Sequence, residues 1–183
     1  MRASAYSLAL AVLLAPLCGV RAEATPSGAS AGKPAASARP AAKASVNWVS
    51  LESGFKAAEA SRRYLFVSVY TDWCGYCRKL EAVTYKAPSV VSELDKNFES
   101  VKLNAESDEI VTWKGKKISS RSLALFWGVE GYPTLLFLNR KGEIVGSFNS
   151  YVEPDLMVKL LTYISSGARE RKVTFDQYME GKS

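Results

Sequence analysis

Residues 69–78 read V-Y-T-D-W-C-G-Y-C-R, and Cys74 and Cys77 are the side chains best suited to chemistry. Two thiols so close in sequence could be a structural disulfide, half of a metal site, or a couple that cycles between dithiol and disulfide. A tetrahedral zinc site needs a fuller set of Cys and His ligands. The chain holds three cysteines and no histidine, so the metal reading fails on ligand count and no metal or cofactor is expected. The pair follows an apolar run and leads into a helical stretch. A cysteine at a helix N-terminus faces unpaired backbone N–H groups and the positive end of the dipole, which favour thiolate over thiol. Cys74 would occupy that place as the attacking nucleophile. Cys77, about one turn further in, would be shielded and placed to resolve a mixed disulfide held on Cys74.

The segments that must position this pair are legible from periodicity. Between Leu51 and Arg63, the apolar residues Leu51, Phe55 and Ala58 share a helical face, with Gly54 weakening the helix. Residues 64–70, Y-L-F-V-S-V-Y, have the near-continuous hydrophobicity of a strand buried on both faces. Helix is expected from Arg78 to Tyr85 and again from Pro88 through Leu94, and Phe98–Asn104 alternates as a strand. A helix over Ser119–Trp127 stops at Gly128. Residues 134–138 form an apolar strand, 139–142 a turn, and Ile144–Phe148 an antiparallel partner. Pro154–Ile164 closes with an amphipathic helix. The order α-β-α-β-α-β-β-α argues for a layered α/β domain over residues 47–166 whose mixed sheet ends in an antiparallel hairpin. The segment 105–117 reads as a surface hairpin or a partner-recognition insertion. The tail, 167–183, carries Phe175 and Tyr178 and is expected to add a short packed helix without chemistry.

Ahead of this domain, Met1-Arg2 and the apolar run Ala5–Leu17 have the pattern of a secretory signal peptide. The run is shorter than the roughly 20 residues of a membrane span. Val20 and Ala22 suit cleavage after Ala22, which makes residues 1–22 a leader. Cys18 then leaves with the leader, and the mature chain keeps only Cys74 and Cys77. Lipidation of Cys18, or retention of the leader, would instead anchor the chain to a membrane. Of the 24 residues 23–46, 18 are Ala, Pro, Ser or Gly, too little apolar area to offset ordering entropy, so the segment reads as a flexible linker. Cleavage removes Arg2 and Arg21 and no acid, lowering the formal charge of +6 by two. The remaining basic residues are scattered among acids, unlike a nucleic-acid footprint.

Trp73-Cys74-Gly75-Tyr76-Cys77 after a buried strand, with Gly131-Tyr132-Pro133-Thr134 before the next one, resembles the thioredoxin superfamily. The resemblance implies the thioredoxin-like fold, a mixed sheet flanked by helices. It also implies that Pro133 is a cis-proline facing the active-site disulfide and that the Tyr132 backbone pairs with bound polypeptide. Residues Tyr70–Cys74 with Cys77–Glu81 and Thr84 are similar to the C-terminal periplasmic domain of the transmembrane thiol:disulfide interchange reductase and to small secreted thioredoxin-related proteins.

In those domains an acid four residues after the second cysteine lies near the active site, a place that Glu81 fills. A solvated helix-surface acid is the alternative for Glu81. Thioredoxins usually carry a buried aspartate six residues before the first cysteine, and here that position is Ser68. Either Glu81 or Asp72 takes part of the proton-transfer role, or the reaction proceeds without such a group. The expected activity is a periplasmic or secreted thiol:disulfide oxidoreductase, a monomer that reduces disulfide-containing exported proteins and is supplied with electrons by a membrane-bound reductase. The lean towards reduction rests on Gly75-Tyr76, which puts no histidine beside Cys77. Oxidase or isomerase action and a non-catalytic thioredoxin-fold binding module are the alternatives.

Overall fold

The computed structural model describes residues 45–181, so the expected leader, and the linker up to residue 44, lie outside the described residues. The described chain runs β1 (Trp48–Val49), α1 (Leu51–Ser61), β2 (Tyr64–Tyr70), α2 (Gly75–Ala82), α3 (Pro88–Asn97), β3 (Phe98–Asn104), β4 (Ile110–Trp113), β5 (Lys116–Ser119), α4 (Ser120–Phe126), β6 (Thr134–Leu138), β7 (Ile144–Asn149), α5 (Pro154–Ser165) and α6 (Phe175–Met179). A short 3-10 turn, Thr84–Lys86, separates α2 from α3. The main sheet has the order β1-β3-β2-β6-β7, with β1, β2 and β3 mutually parallel and β6 and β7 antiparallel. No helix among the described residues is long and apolar enough to cross a membrane.

The apolar run of β2 is explained by its central place in this sheet. Phe66 belongs to the core beneath α3 and α5, while Leu65, Val67 and Val69 belong to the core beneath α1 and α4. A strand with both faces covered cannot alternate between polar and apolar residues. Ser68 is the one polar residue in the interior of this run, and it is buried.

Three local features refine or depart from the sequence reading. The α1 helix forms despite Gly54, because a Cβ there would lie 2.9 Å from Val101 Cγ2 and 3.2 Å from Leu65 Cδ1, so glycine lets the helix approach the sheet. The helix expected over Arg78–Tyr85 starts earlier, at Gly75, and gives way at Ala82 to the 3-10 turn. Cys74 caps its first turn and so brings the start of the helix to the motif itself. Strand β1 was not anticipated, since two residues carry no periodicity, and Val46, taken as the last linker residue, is buried in the core.

The insertion forms the β4–β5 hairpin, a separate two-stranded sheet whose Trp113 packs between Phe55 and Trp127. In the tail, α6 carries a capping box at Thr174 and rests Phe175 and Tyr178 against Tyr163 of α5.

Candidate active site

The register of the sheet decides which residues meet at the motif. Strands β2 and β3 run in parallel to end together, with Tyr70 opposite Asn104. Antiparallel β6 begins at the same end, with Thr134 opposite Val69. The loops after β2 and before β6 therefore converge, and open α/β sheets place reactive groups outside such carboxyl strand ends.

Cys74 and Cys77 are joined in a disulfide with their Cα atoms 5.2 Å apart. Cys74 is the N-cap of α2, and its sulfur accepts a hydrogen bond of 3.1 Å from the Cys77 backbone N–H. The two cysteines are only 3% and 6% exposed, whereas the neighbouring Trp73 and Tyr76 are each 64% exposed. The disulfide thus lies in a shallow recess between two projecting rings. The Tyr132–Pro133 peptide bond is cis, as the resemblance implies.

Each ring is held in place. The Trp73 indole donates a 2.8 Å hydrogen bond to Glu106 Oε2 and meets Tyr132 edge-on with centroids 5.9 Å apart. Tyr76 stacks on Tyr151, which is itself covered by the Lys79 ammonium 3.9 Å from its centroid. Lys79 also pairs with Glu153 at 3.4 Å. Asp72 is exposed, accepts from Asn104 Nδ2 at 3.2 Å, and its carbonyl accepts from Arg78 Nη1 at 2.9 Å.

Behind Cys77 lies a cavity of about 160 Å³ lined by Ser68, Thr71, Asp72, Glu81 and Lys102 among others. It brings together three residues singled out from sequence, namely Asp72, Cys77 and Glu81. Glu81 forms an ion pair with Lys102, which stands opposite Ser68 in the β2–β3 register. Thr71 Oγ1 is buried without a hydrogen-bond partner in the protein, and the cavity is polar and wide enough to offer it water. Ser68 accepts a 2.8 Å hydrogen bond from the buried Tyr85 hydroxyl. Burial pushes the Tyr85 phenol well above its usual value, with the Ser68 bond opposing and the Glu81 charge reinforcing the shift. The position that would hold an acid is therefore occupied by a neutral, mutually satisfied pair, and the charged group next to Cys77 comes from the helix instead.

Lys102, Tyr85, Glu106 and Tyr151 were not read as site residues from the sequence. The alternation of β3 carried a usable signal for Lys102, because a lysine within Val101-Lys102-Leu103 must face away from the core that its neighbours fill. The others depend on contacts between distant segments.

Residues 51–165 match the family described as a thioredoxin-like domain. Protein disulfide isomerase-like 5-2 of Oryza sativa subsp. japonica is 31% identical over 118 residues, covering 58% of this chain and 25% of that protein. The chain thus spans about a quarter of the length of that relative. Among solved structures, a thioredoxin-fold protein from Helicobacter pylori aligns with a TM-score of 0.60 at 14% identity, covering 67% of this chain and 83% of that one. A thioredoxin from Thermus thermophilus aligns with a TM-score of 0.56 at 23% identity, covering 69% and 93%. These two likenesses agree with the mixed five-stranded sheet and its flanking helices.

Proposed function

Because this chain belongs to the thioredoxin-like domain family, within which it carries a Cys74–Cys77 disulfide, we propose that it is an exported thiol–disulfide oxidoreductase working as a reductase. The observation that carries the reading is the asymmetry of the pair. Cys74 caps α2 and takes the Cys77 N–H on its sulfur, while Cys77 faces the cavity that holds Glu81 and Lys102. Amide donation and the helix dipole favour a thiolate on Cys74 once the disulfide is reduced.

In the reaction, the Cys74 thiolate attacks one sulfur of a substrate disulfide. That bond breaks, one substrate thiolate leaves, and a mixed disulfide forms on Cys74. Cys77 then loses its proton towards the Glu81 side of the cavity and attacks Cys74 Sγ. The mixed disulfide breaks, the second substrate thiolate leaves, and the Cys74–Cys77 bond is restored. The substrate gains two electrons from the pair. A dithiol donor, which we assign to a membrane-bound reductase, returns them and is oxidised in turn.

Trp73 and Tyr76 present apolar surface on either side of the recess, and the Tyr132 backbone before Pro133 offers extended pairing to an unfolded substrate segment. The proposed substrates are exported proteins with exposed disulfides. Export itself rests on the leader pattern of residues 1–22, and the similarity of residues 70–84 to the periplasmic reductase domain supports the reducing direction.

The test is turnover of a protein disulfide with dithiothreitol as donor. The purified chain is expected to reduce the substrate and the Cys74→Ser variant to have no activity. Full activity in that variant would exclude the mechanism.

A further inference from the structure

The end of the sheet furthest from the disulfide carries an unbalanced set of cations. Two adjoining grooves of about 600 and 470 Å³ share Glu59 and Lys141 in their walls, with Glu170 also in the first and Glu52 in the second. Arg62 and Arg140 line the first and Lys114 the second, and Lys116 and Lys117 follow Lys114 around the β4–β5 turn. Among the described residues, no ion pair joins any of these six cations to a carboxylate, whereas Lys56 and Arg63 nearby are paired with Glu52 and Glu99. The tip of the hairpin is seated against the β6–β7 turn, where a Cβ on Gly142 would lie 2.9 Å from the Trp113 ring. The lysines are therefore presented by a packed element.

The chain enters the domain at this same end. Asn47 shares a groove with Arg63, Asp95 and Glu99, where α1 hands over to β2 and where β3 begins. The segment leading to it, residues 23–46, carries Lys33, Arg39 and Lys43 against the single acid Glu23. The apolar run 5–17 precedes that segment. At the opposite end, Asp72, Glu81, Glu106 and Glu153 lie around the disulfide together with Arg78, Lys79 and Lys102, and Lys79 and Lys102 are paired with Glu153 and Glu81.

We propose that the cationic end docks on an anionic phospholipid surface, with the disulfide directed away from the lipid. Basic side chains close to an anionic leaflet each raise partition by roughly fivefold at moderate salt. The disulfide end offers no comparable excess of unpaired cations, because Lys79 and Lys102 there are paired with Glu153 and Glu81, so the charge distribution favours one orientation as well as affinity. The proposal is independent of the thiol chemistry, and Cys74→Ser is expected to bind lipid as the parent does.

The experiment is co-sedimentation of the processed chain with vesicles of equal parts phosphatidylcholine and phosphatidylglycerol, compared with phosphatidylcholine alone. The parent is expected to favour the anionic vesicles by more than about tenfold, and the preference should shrink as salt rises. A variant carrying K116Q, K117Q, R140Q and K141Q, all exposed, should lose that preference and keep its disulfide-reductase turnover. Glu59→Gln removes an exposed acid from the shared wall of the grooves and should tighten anionic binding. Equal partition of the parent to the two vesicles, or an unchanged ratio in the quadruple variant with Glu59→Gln also neutral, overturns the proposal.

Discussion

The two ends of the sheet are built on the same strands and the same pair of cores, yet they present opposite chemistry. Where β2 and β3 finish, the disulfide sits in a recess between projecting aromatic rings, with carboxylates around it, of which Glu153 and Glu81 are paired with Lys79 and Lys102. Where β2 and β3 begin, unpaired cations line shallow grooves and the chain enters. The fold accounts for only part of this difference. Parallel strands that stop together leave loops and a helix N-terminus at their carboxyl ends, which is where a thiolate can be stabilised by backbone amides. Nothing in the packing of β2 requires paired charges at one end and an excess of unpaired cations at the other, since these side chains lie outside the buried cores.

The sharpest way to separate the two ends is to remove the resolving thiol. Cys77→Ser should abolish multiple turnover while leaving Cys74 able to attack. Mixed disulfides between Cys74 and disulfide-containing proteins should then accumulate and be visible after non-reducing electrophoresis and mass spectrometry. The cationic-end variant should show no such accumulation. A Cys77→Ser protein that turns over normally would show that resolution does not pass through Cys77.

A smaller loss is expected from the group that we assign to proton transfer. Glu81→Gln removes the carboxylate from the cavity behind Cys77 but keeps its shape, and should slow the resolving step by about a hundredfold, within the range of general acid–base contributions. An unchanged rate would mean that Cys77 gives its proton to solvent directly.

The sequence made the Cys74–Cys77 pair and the cis-proline before β6 readable, because each depends on a motif. The central strands were equally plain, since burial on both faces leaves a near-continuous apolar run in Leu65–Val69, broken only by Ser68. The proton-transfer surroundings were readable only in part. Ser68 could be seen to lack a carboxylate, but its partner Tyr85 lies 17 residues away and reaches it only through the packing of the 3-10 turn on β2. The Glu81–Lys102 pair likewise needs the parallel register of β2 and β3, which no single segment encodes. The charge asymmetry was hidden for a different reason. Basic residues scattered along the chain are brought to one end by the hairpin, the β6–β7 turn and the end of α1.

A buried tyrosine behind the disulfide and a half-buried one at the opposite end give the finest comparison. Tyr85 is held high by burial, and Tyr64 is pushed up to about 12 by burial, reinforced by its hydrogen bond to Glu170. In the unfolded chain both phenols should ionise near about 10. A group whose folded pKa is raised contributes stability that is complete below its unfolded pKa and is lost as pH rises towards the folded value. The parent should therefore lose stability progressively above about pH 10. Tyr85→Phe and Tyr64→Phe should each flatten that slope, since each removes one phenol that stays protonated in the folded chain where the unfolded chain ionises. At neutral pH, Tyr85→Phe leaves the buried Ser68 hydroxyl without its donor and should cost about 1–3 kcal/mol, with turnover little changed because no proton is routed through Ser68. Denaturant melts of both variants at neutral and alkaline pH measure each quantity. A Tyr85→Phe protein with an unchanged alkaline slope would contradict the burial assigned to that phenol. One with parental stability but greatly reduced turnover would place the Ser68–Tyr85 pair in the proton path.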